Sequence, residues 1–210
     1  LHAMGNPRYC NGFALTMHHD LLDLPTKWRH PRAVFVNSMS DLFHEDLPIS
    51  FVQSAFQTMA RTPRHTFQIL TKRAERLMEM ASYLPWPDNV WMGVSVESQD
   101  YVSRLHCLRQ VPAKTRFVSC EPLLGRVVME LEGIHWVIVG GESGPRARPT
   151  DSGWIRAIRD QCIEAGIPFF LKQLGGHPNP RGHNQAIFEG RLWKDIPDNN
   201  LYADSGLRRK

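Results

Sequence analysis

The sequence predicts an α/β protein: a parallel (β/α) barrel, TIM-barrel-like and incomplete, missing its first strand. Three observations carry that expectation. Short apolar runs recur along the chain, segments of helical period lie between them, and successive runs begin roughly 20 to 35 residues apart, the length of one strand plus one crossover helix. The runs show no clean alternation of apolar and polar positions, as befits strands covered on both faces.

Six runs fit the pattern: AVFVN at Ala33–Asn37, TFQIL at Thr66–Leu70, VWMGVSV at Val90–Val96, RFVSC at Arg116–Cys120, WVIVG at Trp136–Gly140 and PFFLK at Pro168–Lys172. A weaker run, FALTMH at Phe13–His18, is a candidate seventh strand. The clearest helix is Asp151–Ala165, where Trp154, Ile155, Ile158 and Cys162 share one face and Gly166 follows as a C-terminal cap. Ser50–Ala60 repeats the pattern with Phe51, Val52, Ala55, Phe56 and Met59, and Ser98–Gln110 does so with Val102, Leu105 and Leu108.

A full barrel takes about 250 residues, so seven units in 210 residues leave one strand wanting at the front. Position 1 is Leu1 rather than Met, and the chain reads as cut from something longer. An open, doubly wound sheet is the alternative. No break in composition divides residues 1–176, expected to form a single barrel domain; residues 177–210, rich in Gly, Pro, Asn and Arg, read as an irregular C-terminal extension.

A hydrophobic content of 42% is enough for a sizeable core. No apolar run approaches the roughly 18 residues of a membrane-spanning helix, and the opening LHAMGNPRYCNG lacks the order of a secretion signal. The net charge of +4, from 25 basic and 21 acidic side chains, permits an anionic partner without requiring one. Cys10, Cys107, Cys120 and Cys162 stand far apart with no CxxC pair, which points to a reduced, cytoplasmic protein. Neither His18-His19-Asp20 nor His44-Glu45-Asp46 has the spacing of a zinc site.

Parallel α/β architectures bind ligands beyond the carboxyl ends of their strands. Those stretches are unusually polar here: NSMSDLFHED with Asn37, Ser38 and Asp41, TKR with Lys72 and Arg73, SVES with Ser95 and Glu97, SCEP with Glu121, GGESGPRARP with Glu142, and KQ with Lys172. A strand buried on both faces has no structural use for a terminal charge, so these residues are expected to share one mouth. The alternative is that each caps a neighbouring helix, and Asp41 in particular could initiate the helix that follows it. Gly140–Gly144 could bring backbone amides up to an anion, with Arg146 and Arg148 supplying charge, or could simply make a tight turn.

Taken in order, GNPRYCNGF, FVNSMSDLFHED, FQILTKRAER, VWMGVSVESQ, RFVSCEPLLG, WVIVGGESGPRARP and PFFLKQLGG resemble a family of uncharacterised proteins carried by phages and bacterial genomes, over nearly the whole chain. Members look like radical-SAM proteins, similar at a distance to spore photoproduct lyase, and carry a three-cysteine motif ahead of the region matching GNPRYCNGF. That motif is absent here. The resemblance implies S-adenosylmethionine and a [4Fe-4S] cluster as cofactors of the longer parent. It also implies cofactor-binding roles for Asn37, Ser38, Lys72, Arg73, Ser95 and Glu97, with Lys72 or Arg73 meeting the methionyl carboxylate and Ser95 and Glu97 the ribose hydroxyls. Asp41, Glu121, Glu142 and Lys172 are the candidate catalytic residues, and a nucleic acid or nucleotide is the candidate substrate. Two other classes remain open: a non-redox hydrolase or lyase using Glu121 and Glu142 as an acid/base pair, and a non-catalytic module holding an acidic partner.

Overall fold

In the computed structural model the residues described are 14–37, 40–176 and 187–197. Six strands, β1 (Ala33–Val36), β2 (Thr66–Thr71), β3 (Val90–Ser95), β4 (Thr115–Cys120), β5 (Trp136–Gly140) and β6 (Phe169–Gln173), form one sheet in sequential order, every pair parallel. The sequential order decides against a doubly wound sheet. Right-handed crossovers that each advance by one strand in the same direction leave all the helices on one face. The sheet curls as part of a barrel does, without completing one.

Two separate cores record this one-sidedness. Val90, Met92 and Val94 of β3, Val118 and Cys120 of β4 and Val137 and Val139 of β5 pack with residues of the helices. Those helices are α2 (Ile49–Arg61), α3 (Ala74–Met80), α4 (Arg104–Arg109) and α5 (Ser152–Ala165); the four-residue α1 (His19–Leu22) precedes the sheet. The alternate strand positions, Trp91, Phe117 and Trp136, form a second cluster with Leu70, Ile138, Phe170 and Ile196, and no helix joins it. This is the concave face. Strand side chains alternate between faces, so the parity that puts Trp91 there also sends Gly93 and Ser95 to the same side, as it does Ser119 after Phe117.

Helix boundaries follow local chemistry. Asp151 caps α5 by accepting from Gly153 N–H at 2.6 Å, and Gly166 ends it in the left-handed conformation at φ 67°. Pro48 stands at the N-cap of α2, where its missing N–H leaves no donor unsatisfied. Two expectations need correction. Residues 98–110 do not form one helix: a 3₁₀ turn at Gln99–Tyr101 precedes the shorter α4. Ala14–His18 is not a strand; Leu15 and Met17 are exposed and nothing pairs with their backbone in a ladder, while Phe13 lies outside the described residues.

The sheet's two edges differ. β1 stops at Val36 because Asn37 turns into the left-handed region at φ 58°, which asparagine tolerates. Among the described residues no strand pairs with the outer edge of β1, and Phe35 remains 45% exposed. The β6 edge is covered. A hairpin of β7 (Ile187–Phe188) and β8 (Arg191–Leu192) leads into residues 193–195, which run antiparallel beside β6. Leu171 N–H donates to Trp193 O at 2.9 Å and Asp195 N–H to Phe169 O at 3.2 Å. Phe188 and Trp193 are buried against the helix-side core.

Candidate functional site

A parallel sheet in sequential order brings all six carboxyl ends to one rim, and the rim carries two charged poles. At the first, Lys72, immediately after β2, pairs with Glu97, two residues beyond β3. The Glu97 side chain is 6% exposed and its other oxygen accepts from Arg104 Nη1 at 3.0 Å, while the same guanidinium nitrogen donates to Ser95 O at 2.8 Å. Arg104 also stacks 4.2 Å from the Tyr101 ring centroid. Glu97 is therefore held from behind by a nearly buried arginine and faces solvent only through the mobile-stemmed Lys72. Ser95 is buried beside them on the concave side.

The second pole spans three strands. Glu121 follows β4, and both Lys172 Nζ, at 2.7 Å, and Gln173 Nε2, at 3.0 Å, approach its Oε1. These residues reach each other across β5 because Gly140 has no side chain. A Cβ there would lie 3.2 Å from Glu121 Cδ and 3.3 Å from Gln173 Nε2. A register shift between Val139 and Gly140 pairs Gly140 with Gln173 instead of Lys172, and such a bulge lets consecutive side chains turn the same way. A cleft of about 690 Å³ opens beside this pole, lined by Glu121, Pro122, residues 141–147 and Gln173.

The other sequence-predicted residues have different surroundings. Asp41 is buried in bonding: its carboxylate accepts from Thr71 Oγ1 at 2.8 and 2.9 Å, from the N–H groups of Phe43 and Lys72, and from Arg73 Nη1 at 3.1 Å. It staples the loop after β1 to the end of β2. Arg73 also pairs with Glu45, whose carboxyl is thereby drawn down to about 2. Glu142 is clasped by the Arg148 side chain and main-chain N–H, which hold its carboxyl at about 2. Asn37 stands at the same rim on the uncovered edge strand, and Ser38 lies outside the described residues.

A family model described as "protein of unknown function (DUF5131)" matches residues 1–197. The chain belongs to the DUF5131 family. None of the curated proteins and none of the solved structures matches it. The site residues of this DUF5131 chain that the sequence left unmarked are Arg104 and Gln173, while Gly140, marked there as the start of a possible anion-binding turn, matters in the structure for its missing side chain. Arg104 sits on a helix whose apolar period says nothing of its polar positions, and Gln173 reaches Glu121 only through the bulge.

The described cysteines do not fit a [4Fe-4S] cluster. Cys107, Cys120 and Cys162 are buried on α4, β4 and α5 in the helix-side core, away from the concave face. Burial pushes the Cys162 thiol up to about 12, and burial pushes Cys120 up as well, aided by Cys162. Cluster ligation needs thiolates brought together. Among the described residues no three His, Cys, Asp or Glu side chains gather as metal ligands, and Cys10 lies outside them. No helix among the described residues is long and apolar enough to cross a membrane.

Proposed function

We propose that this chain is a radical-SAM-like protein, as the resemblance of its motifs implies, and that the Lys72–Glu97 pole is where S-adenosylmethionine binds. The observation that carries the reading is the placing of a lysine, a hydroxyl and a carboxylate side by side at the carboxyl ends of β2 and β3, on the concave side of a one-sided sheet. S-adenosylmethionine presents a carboxylate, an ammonium and a ribose diol. Lys72 would hold the carboxylate; Ser95 and Glu97 would hold the hydroxyls. Arg73 is the poorer candidate, since Asp41 and Glu45 already occupy its guanidinium.

When bound beside a reduced iron–sulfur cluster, this cofactor supplies a carbon radical. The cysteines described do not provide that cluster, so the role proposed for these residues is binding. Arg104 fixes the Glu97 carboxylate, and Lys72, 58% exposed on its side chain, is free to exchange Glu97 for the ligand's carboxylate. The non-redox acid/base reading draws less support. Glu142, bound to Arg148 and drawn down to about 2, is left only the base's part in that reading, with both oxygens engaged by the arginine.

Calorimetric titration with S-adenosylhomocysteine tests the reading without a cluster. Saturable one-to-one binding is expected, weakened about tenfold or more by Lys72→Met, as loss of a charged hydrogen bond predicts. Absence of binding, or binding indifferent to Lys72→Met, would refute it.

A further inference from the structure

At the amino ends of the strands, opposite the rim, two strand pairs open with the same bond. His65, the residue before β2, accepts through Nδ1 from the Arg32 N–H at 3.2 Å, while Arg32 O accepts from Thr66 N–H at 2.9 Å. His135, the residue before β5, accepts through Nδ1 from the Arg116 N–H at 3.1 Å, while Arg116 O accepts from His135 N–H at 2.8 Å. In each, an imidazole takes up a main-chain N–H near the start of the neighbouring strand. An accepting Nδ1 leaves the proton of the neutral ring on Nε2. On His65 that second nitrogen donates to Pro25 O at 3.1 Å, so one ring joins both ends of residues 25–32 to the sheet.

Burial separates the two histidines. His135 is exposed, whereas His65 is wholly buried. The rings of Trp28 and Phe67 stand edge-on to it, with centroids 5.4 and 6.2 Å away. The charges that act on it are both positive: Arg64 from its own loop and Arg32 from the segment it holds. Arg64 donates to Trp28 O and Thr26 O, and Arg32 lies 4.8 Å over the Trp28 ring. Asn89, just before β3, adds a neutral amide that donates to His65 O at 2.8 Å. Asp23, ahead of the segment, is taken up by Arg61 of α2, and among the described residues no carboxylate makes an ion pair with His65.

Protonation would put a second N–H on the ring, at Nδ1, facing the Arg32 N–H donor to donor. It would also bury a third positive charge beside two guanidiniums. Burial, with Arg64 and Arg32, accordingly holds the His65 pKa below its ordinary value of 6.5, against the Pro25 carbonyl. The strand that depends on this bond has little else to hold it. Among the described residues β1 pairs only with β2, and its other end is tied by Asp41 to Thr71.

We propose that His65 is an acid-sensitive pin: neutral, it holds residues 25–32 and the amino end of the edge strand β1 against β2; protonated, it releases both while the rest of the sheet stays paired. The hold is fully present above about 6.5 and is lost as pH falls through the lower folded value. The device lies at the opposite end of the strands from the proposed cofactor site and does not depend on it.

Amide hydrogen exchange on the whole chain, followed by NMR and corrected for the intrinsic effect of pH, tests the pin. The Arg32 and Thr66 amides should be at least about tenfold less protected than the Val118 amide of β4, because they open locally. Their protection should fall about tenfold per pH unit below 6.5 until the folded pKa is reached. His65→Asn, which cannot titrate, should remove that slope, and His135→Asn should leave it in place. Should His65→Asn fail to fold, the ring of the unaltered chain still decides: its resonances should show a neutral ring protonated on Nε2 and a pKa below 6.5. Protection at Arg32 and Thr66 equal to that at Val118, a slope that is absent or that survives His65→Asn, a slope abolished by His135→Asn, or a His65 pKa at or above 6.5 would each overturn the proposal.

Discussion

Gly93 is the position where a single methyl group should do the most harm. It lies on the concave face of β3, directly paired in register with Phe117 of β4. The Phe117 ring lies flat over it: a Cβ at position 93 would fall 2.4, 2.5 and 2.6 Å from three ring carbons. Ordinary carbon–carbon contact is about 3.5–4.0 Å, so the ring must retreat by more than about 1 Å. It has nowhere to go. Phe117 is fully buried, with the Trp136 ring centroid 5.7 Å away, and Trp136 in turn abuts Trp91 at 5.8 Å. Overpacking of this kind costs about 1–3 kcal/mol and sometimes more; the rigid ring puts Gly93→Ala near the top of that range. The entropic gain of replacing a strand glycine, about 0.5–1 kcal/mol, offsets little of it. At roughly 2–4 °C per kcal/mol for a chain of this size, the melting temperature should fall by about 4–10 °C in a calorimetric or circular-dichroism scan. Phe117→Leu should make room for the methyl, so the double variant should be less destabilised than the sum of the singles by about 1–2 kcal/mol. A Gly93→Ala protein melting within a degree or so of the original, or strict additivity with Phe117→Leu, would show that the ring does not rest on Gly93.

Three other outcomes are expected. Trp193→Ala should cost about 3–5 kcal/mol, the usual loss for a buried tryptophan, and should speed hydrogen exchange at the Leu171 amide, which donates to Trp193 O; unchanged exchange would mean that the covering segment is held by its backbone alone. Asp41→Ala should destabilise by about 3 kcal/mol, because Thr71 and two main-chain N–H groups lose their acceptor, as a denaturant titration would show. Burial lowers the pKa of His65, whose Nδ1 accepts from Arg32 N–H while Nε2 donates to Pro25 O, and of His135, whose Nδ1 accepts from Arg116 N–H. Both contribute stability that is fully present above the ordinary value of 6.5 and lost as pH falls through the lower folded values. The melting temperature should therefore drop on acidification below about 6.5, and a flat profile there would contradict the tautomers assigned.

The strands were legible because burial on both faces leaves a run of apolar residues too short for a helix, and Thr66, Trp136 and Gly140 stand at or beside the ends of such runs. The capped helix at Ser152–Ala165 was equally plain, with Asp151 and Gly166 at its two ends. The pattern was weakest where elements are short. Leu15 and Met17 imitate a strand locally, yet a strand exists only by pairing, and no partner is encoded nearby. The hairpin ending in Trp193 was hidden for the opposite reason: its two-residue strands carry no period, and tertiary contact alone makes them. At the rim, the residue types were visible but their pairings were not. Nothing in sequence says that Asp41 spends its oxygens on Thr71 while Glu121 meets Lys172 and Gln173.

Strand parity ties these outcomes together. On β4 the alternation sends Val118 and Cys120 to the helix side and Phe117 and Ser119 to the concave side, with Glu121 continuing the concave series at the rim. On β3 the same rule sends Met92 and Val94 outward and Trp91, Gly93 and Ser95 inward, with Glu97 following. Each central strand thus reads, from its amino end, aromatic or small, then hydroxyl, then carboxylate on the concave face. The lower part of that face is filled by Trp91, Phe117 and Trp136. The top layer is polar, and the lysines that meet its carboxylates come from the end of β2 and from β6 on either side. Shifting β4 by one residue would exchange the two sets, putting Cys120 at the rim and Glu121 into the helix-side core. One register choice, which the apolar run itself enforces, keeps Cys120 out of the site and brings Glu121 into it.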